Sequence, residues 1–140
     1  MVPPMSLEPG LKAELVHVVG SDDTALAMGS GTVEVLSTPR VLAWLEAACM
    51  TAIDDELDVG QTTVGMRTQL DHLHPTVVGA RVSCRAELER VEGRRLTFVV
   101  RAADDADDLA VGHLTRVIVE TDRFVAGASN QDGPGGTRKD

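Results

Sequence analysis

One long amphipathic helix, in a chain otherwise dominated by strand patterns, most restricts the possible folds. In "STPRVLAWLEAACMTAIDDEL", residues 37–57, Ser37 or Thr38 is suited to the N-cap, and Pro39 suits the first turn. At about 100° per residue, one side of this helix is apolar. That side consists of Val41, Leu45, Ala48, Cys49, Ala52 and Ile53. The segment therefore predicts a helix of roughly five turns with one buried face.

The remaining segments have the alternation and turn residues of strands. A first strand is predicted over Leu11–Val19, and a short second one around Gly31–Val35. Four further strands are predicted over residues 62–73, 80–91, 94–104 and 109–124. Short turns between consecutive strands favour antiparallel pairing. We therefore expect an α+β fold, in which a curved antiparallel sheet of five or six strands wraps around one long central helix.

The last strands carry more apolar surface than a single helix can cover. Because exposed apolar sheet and open sheet edges favour association, we expect a homodimer, with the sheets joined edge to edge, or a dimer of dimers.

Composition limits the class of protein. The 140 residues suit one domain, expected over residues 1–126, and the Gly-rich polar segment 127–140 is typical of a flexible tail. No secretion signal is recognisable, and no apolar run approaches the ~20 residues of a membrane helix. Cys49 and Cys84 lack metal or redox spacing, which favours a reducing cytoplasm. The net charge of −9 argues against a nucleic-acid partner.

Two helix residues are candidates for chemistry. Helical periodicity places Glu46 at the edge of the apolar face, and burial of a carboxylate without a partner disfavours its charged form. Such groups cluster at functional sites, although an edge residue reaching solvent is the simpler interpretation. The hydroxyl of Thr38 is expected to cap the helix, and a helix N-terminus also attracts anions and polarised carbonyls.

The stretch "LDHLHP" brings two histidines to the end of a predicted strand. His72 and His74 share one strand face with Leu70, whereas Asp71 points to the other face. A His-x-His pair is half of a possible metal site, but Pro75 ends the strand and no third ligand follows. Solvated histidines at a strand end are the simpler interpretation. No metal is expected.

Arginines lie along the predicted strands of this acidic chain. Six of them are Arg81, Arg85, Arg94, Arg95, Arg101 and Arg116. Cross-strand pairing with Glu87, Glu89 and Glu92 is one explanation. A local patch for the phosphates of an acyl carrier such as coenzyme A is the functional alternative.

The chain resembles the fluoroacetyl-CoA thioesterase family of hot-dog proteins. The resemblance rests on Thr38 with a glutamate eight residues later in "WLEAACM", on "TVGMRTQLDHLHPTVVG" and on "ELERVEGRRLTFVVRAADD". It covers Leu11 to Phe124, and its most specific parts are "DHLHPTVVG" and "VEGRRL". The resemblance implies a dimeric hot-dog fold that hydrolyses a small acyl-CoA thioester.

The resemblance also implies roles for individual residues. The catalytic threonine, glutamate and histidine of the family match Thr38, Glu46 and His72. A glycine whose backbone N–H holds the thioester carbonyl matches Gly65, and an active-site arginine matches Arg116. The family chemistry implies no cofactor other than the coenzyme A of the substrate. His74 falls where the family more often has a small or apolar residue.

The segment before the helix departs from the family pattern. The fluoroacetate-specific member carries a longer lid with a phenylalanine, whereas "DTALAMGSGTVEVL" is short and has no aromatic residue. Fluoroacetyl specificity is therefore not expected to follow from the resemblance.

Other functions remain open at this stage. A non-catalytic hot-dog module that binds an acyl thioester or a related small ligand is one alternative, because a fold does not fix a function. A hot-dog dehydratase or hydratase is another, since it also uses a carboxylate and a histidine. A metal-dependent hydrolase is a more distant one.

Overall fold

The computed structural model of the protein describes residues 7–130. One long helix packs on one face of a five-stranded antiparallel sheet, which confirms the predicted fold class. In chain order the elements are β1 (Lys12–Val18), α1 (Ala25–Met28), α2 (Thr38–Ile53), β2 (Gln61–His72), β3 (Arg81–Glu92), β4 (Arg95–Ala103), β5 (Asp108–Glu120) and α3 (Thr121–Asn130).

The α2 helix begins with a side-chain cap that leaves Thr38 free. Ser37 Oγ accepts the backbone N–H of Arg40 at 3.1 Å, so Ser37 is the N-cap. Thr38 is the first helical residue, and the expectation that its hydroxyl caps the helix is wrong. Ser37 already satisfies the donor at Arg40, so the Thr38 side chain is available for other contacts.

The apolar face of α2 is buried as predicted, with Ala52 at its border. It lies against one face of the sheet, mainly β1, β3 and β4. The largest fully buried side chains of this core are Phe98, Leu36, Leu45, Ile53, Leu88, Leu96, Leu109 and Leu114. Burial of apolar area at about 25 cal/mol per Å² makes this contact the main stabilising term of the fold.

The strand order is β1-β3-β4-β5-β2, so β1 and β2 form the two edges of the sheet. A short turn after Glu92 joins β3 to β4, and Gly93 adopts a positive φ of 65° there. The β2 strand crosses β5 at very close range: a Cβ at Gly112 would overlap the backbone oxygen of Gln69 and lie 2.9 Å from Leu70 Cα. Glycine at position 112 therefore lets the edge strand β2 pair closely with β5.

The short strand predicted around Gly31–Val35 is wrong. Val35 forms only an isolated bridge to Val77. The backbone of this segment bonds instead to the short α1 turn, where Ala25 N–H donates to Val35 O at 2.8 Å. Local bonding to α1 therefore replaces the ladder of a sheet strand.

The last strand, predicted over residues 109–124, ends at Glu120 instead. The α3 helix follows β5 directly and includes residues 127–130, the first part of the segment expected to form the tail. Its first N–H, from Thr121, donates to Gly60 O at 2.9 Å, and Asp122 lies in the first turn, where a carboxylate suits the helix dipole. Residues 131–140 lie outside the described residues.

Candidate active site

Thr38 and His72, two of the predicted catalytic residues, are in contact although they are 34 positions apart in the sequence. Thr38 is placed by the start of α2, and His72 is the last residue of β2. Their Oγ and Nδ1 atoms are 2.7 Å apart, within strong hydrogen-bond range. A hydroxyl hydrogen-bonded to an imidazole is the arrangement that activates an oxygen nucleophile.

The imidazole of His72 is held partly inside the protein. Burial lowers its pKa below the usual value, opposed by a smaller effect of the His74 backbone. The lowered pKa favours the neutral ring near pH 7, which is the form that accepts a proton from Thr38. Its Nε2 atom is buried and has no hydrogen-bond partner within residues 7–130.

A second cluster forms around Glu46, two turns further along α2. Arg116 Nη1 donates to Glu46 Oε2 at 2.9 Å, and the two side chains are 7% and 33% exposed respectively. The Arg116 guanidinium also donates to Thr63, through Nε to Oγ1 at 2.9 Å and through Nη2 to the backbone oxygen at 2.8 Å. Arg116 is thus fixed in the sheet and holds the Glu46 carboxylate in one place.

Gly65 lies directly beneath this carboxylate. A Cβ at Gly65 would be 2.9 Å from Glu46 Oε2 and 3.8 Å from Arg116 Nη1. Any side chain at this position would collide with Glu46, so the glycine lets the carboxylate approach the β2 backbone. Gly65 and Arg116 are also direct partners in the β2–β5 register.

The two clusters lie apart within one chain. Eight helical residues between Thr38 and Glu46 correspond to about 12 Å along α2. Seven strand residues between Gly65 and His72 correspond to roughly 23 Å along β2. The structure therefore joins Thr38 to His72, and Glu46 to Gly65 and Arg116, but it does not bring these two groups together within the chain.

A cleft of about 360 Å³ opens beside Thr38 and His72. Its walls come from α1, the segment 30–36 and the residues that follow β2. His74 and Pro75 lie at its border. Within the described residues, no group of three or more His, Cys, Asp or Glu side chains is arranged to hold a metal ion.

Two of the other five arginines pair with acids other than the predicted Glu87, Glu89 and Glu92. Arg85 pairs with Glu14 and Arg101 with Asp108, each at 3.6 Å between solvent-exposed side chains. Exposed pairs of this kind contribute little to stability. Of the six arginines, Arg116 alone takes part in the clusters described above.

Thr63 is the residue of the site that the sequence did not reveal. It is buried and supplies two of the three oxygens that anchor Arg116. The sequence feature that could have identified Thr63 is its position two residues before Gly65, on the same strand face.

Solved structures place this architecture among the hot-dog proteins. A hot-dog-like protein from Thermanaerovibrio acidaminovorans aligns with a TM-score of 0.85 and 27% identity over 95% of this chain and 98% of that chain. A fluoroacetyl-CoA thioesterase gives a TM-score of 0.85 and 27% identity over 89% and 97% respectively. A mutant of that enzyme in complex with fluoroacetate and CoA gives 0.80 and 27%, over 84% and 99%.

Sequence comparison identifies the family within this fold. A profile of the fluoroacetyl-CoA-specific thioesterase family matches residues 19–122. A fluoroacetyl-CoA thioesterase from Streptantibioticus cattleyicolor is 33% identical over 93 residues, which are 66% of this chain and 67% of the relative. The chain belongs to the fluoroacetyl-CoA-specific thioesterase family. No helix in the described part of the chain is long and apolar enough to cross a membrane.

Proposed function

We propose that this chain is an acyl-CoA thioesterase that hydrolyses a small acyl thioester to a carboxylic acid and free coenzyme A. The observation that carries the proposal is the 2.7 Å contact between Thr38 Oγ and His72 Nδ1, beside a cleft, in a member of a thioesterase family. The relative solved with CoA supports the substrate class.

The first half of the reaction uses the threonine–histidine pair. Thr38 Oγ attacks the thioester carbonyl carbon while its proton passes to His72 Nδ1. The C–S bond breaks, the acyl group remains on Thr38 as an ester, and His72 protonates the departing thiolate. Burial favours the neutral imidazole, as this step requires.

The second half of the reaction uses the carboxylate. Glu46 takes a proton from water, which attacks the Thr38 ester and releases the acid, and the proton returns to Thr38 Oγ. The backbone N–H of Gly65 is the proposed donor to the oxyanion in both halves. Arg116, predicted as a substrate-binding residue, acts in this scheme as the positioning residue of Glu46, because its three donors face Thr63 and Glu46.

The scheme requires contact between the Thr38–His72 pair and the cluster around Glu46. A homodimer brings the two together. β2 is an edge strand, and its central residues 65–69 are exposed. Antiparallel pairing of two copies of β2 about a two-fold axis at Gln69, with the register shift between Gly65 and Arg67 taken into account, puts Gly65 opposite His72 of the partner subunit. Glu46 of one subunit then faces the threonine–histidine pair of the other, and each dimer contains two composite sites.

The scheme needs no cofactor or metal beyond the coenzyme A of the substrate. We also infer a cytoplasmic location, since Cys49 and Cys84 are free buried thiols, as is common for proteins of reducing compartments.

The activity is tested by measuring thiol release from a panel of acyl-CoA thioesters. Glu46→Gln and His72→Ala are each expected to lower kcat by at least about 100-fold while the fold is retained. Saturable acyl-CoA binding without thiol release would instead identify a binding module. Water addition to an enoyl-CoA would identify a hydratase. Wild-type activity in both variants would show that the site is misplaced.

A further inference from the structure

The cleft beside Thr38 and His72 is larger than the smallest acyl groups require. Its volume is about 360 Å³. At about 30 Å³ per water-sized group, this space holds roughly a dozen such groups. An acetyl or fluoroacetyl group would leave most of it unfilled, so the size of the cleft favours a longer acyl chain.

The cleft is lined by neutral side chains and by two histidines. Within residues 7–130 of one chain, no Asp, Glu, Lys or Arg lines it, and His72 and His74 are its titratable side chains. The walls include Val33, Val35 and Leu73. A second carboxylate on the acyl group would find no cation among these lining residues to pair with, and its burial would be costly.

Apolar side chains continue from the cleft to the surface. Val33 and Leu73 line it and are 57% and 53% exposed, and Val77, which is bridged to Val35, is 63% exposed. Clustered exposed apolar side chains around a cleft are typical of a ligand-binding groove. They suit a hydrocarbon chain better than the amide-rich pantetheine arm, whose polar groups would lose hydrogen bonds there.

Two small residues of the wall keep the cleft open. Ala25 is the first residue of α1, and Gly31 follows the end of that helix. A Cβ at Gly31 would lie 3.2 Å from Ala25 Cβ, so these positions face each other at close range. A larger side chain at either position would fill space that now belongs to the cleft.

We propose that this cleft is the acyl-binding subsite and that it selects uncharged aliphatic acyl groups of roughly four to eight carbons, with Ala25 and Gly31 setting the upper length. The proposal rests on the proposed thioesterase function. It differs from fluoroacetyl specificity in both the size and the polarity of the acyl group.

The test compares kcat/KM for acetyl-, butyryl-, hexanoyl-, octanoyl- and succinyl-CoA. The wild-type enzyme is expected to hydrolyse hexanoyl-CoA at least about tenfold better than acetyl- or succinyl-CoA. Ala25→Phe is expected to lower kcat/KM for hexanoyl- and octanoyl-CoA by about tenfold or more, with butyryl- and acetyl-CoA changed less than about threefold. Gly31→Ala, a smaller change, should shift the preference in the same direction.

Ala27→Phe is the matched control. Ala27 lies on the same short helix, is exposed and does not line the cleft. This variant is expected to keep the wild-type chain-length profile, and the melting temperatures of all variants report their folding.

Different results would contradict the proposed function and the proposed subsite. No thiol release from any thioester by the wild-type enzyme contradicts the proposed function itself. Hydrolysis with an unchanged length profile in both Ala25→Phe and Gly31→Ala overturns the subsite alone. A uniform rise in KM for every substrate, together with weaker inhibition by free coenzyme A, would assign the cleft to the pantetheine arm and likewise overturn it.

Discussion

Replacing Gly65 by alanine brings a methyl group against the carboxylate of Glu46. The new Cβ would lie 2.9 Å from Glu46 Oε2, whereas ordinary contact begins near 3.4 Å, so the carboxylate must retreat by about 0.5 Å. A 1 Å misplacement of a catalytic group costs up to about 100-fold in rate. A shift of half that size is therefore expected to lower kcat/KM by about tenfold, or about 1.4 kcal/mol of transition-state stabilisation.

The assay measures thiol release from an acyl-CoA substrate at concentrations that saturate the enzyme. Unfolding in urea is measured for the same variants. Gly20→Ala is the matched control, because its Cβ would meet Asp23 Oδ2 at an ordinary 3.5 Å and its φ of −104° suits alanine. The control is expected to keep kcat/KM within about twofold of wild type, and both variants to keep their stability within about 1 kcal/mol.

A double-mutant cycle decides whether the effect passes through Glu46. In a Glu46→Ala background the collision is gone, so adding Gly65→Ala is expected to change kcat/KM by less than about twofold. The reasoning is refuted if Gly65→Ala alone has wild-type activity, or if it causes the same tenfold loss when Glu46 is already absent.

Three further predictions concern the fold and the titration of the site. Gly112→Ala forces β2 away from β5 at Gln69, so urea unfolding is expected to show a loss of roughly 2–4 kcal/mol; wild-type stability would contradict the close crossing. Ser37→Ala removes the cap of α2 and is expected to cost about 1 kcal/mol in the same assay; an unchanged unfolding midpoint would show that the cap contributes nothing. Burial lowers the pKa of both His72 and His17 below the ordinary value of 6.5. Below pH 6.5 the unfolded chain therefore binds more protons than the folded one, and the stability present above that pH is expected to fall as the pH is lowered. The acid limb of the kcat/KM profile should lie below pH 6.5 for the same reason, and a midpoint above 6.5 would contradict the buried neutral imidazole of His72.

Local patterns were sufficient to predict most of the fold. The apolar period of α2 predicted its buried face, and the alternation and turns after it predicted β2 to β5. The shorter elements were not predicted because each is set by a hydrogen bond to a separate segment, from Ala25 N–H to Val35 O and from Thr121 N–H to Gly60 O. Val35 bonds to α1 instead of to a sheet, and α3 begins at Thr121, where a strand-like run "RVIVETDRF" gave no break.

The candidate site was predictable only in part. The resemblance indicated Thr38, Glu46 and His72, but nothing in the sequence states that Arg116 holds Glu46 from 70 residues away or that Thr63 anchors this arginine. Such contacts depend on the register of β2 against β5, which one-dimensional periodicity does not give. The spacing along α2 and β2 also shows that the residues fall into two clusters, which a list of matched residues cannot reveal.

Mixing two inactive variants tests the composite site most directly. Glu46→Gln and His72→Ala proteins are purified separately, mixed in equal amounts under conditions that exchange subunits, and assayed for thiol release. In a heterodimer, one site combines the intact Glu46 of one subunit with the intact His72 of the other, so about a quarter of wild-type activity is expected to return at random exchange. If subunits exchange, as shown by differently tagged copies, and no activity returns, the reacting residues do not come from two subunits and the account is contradicted.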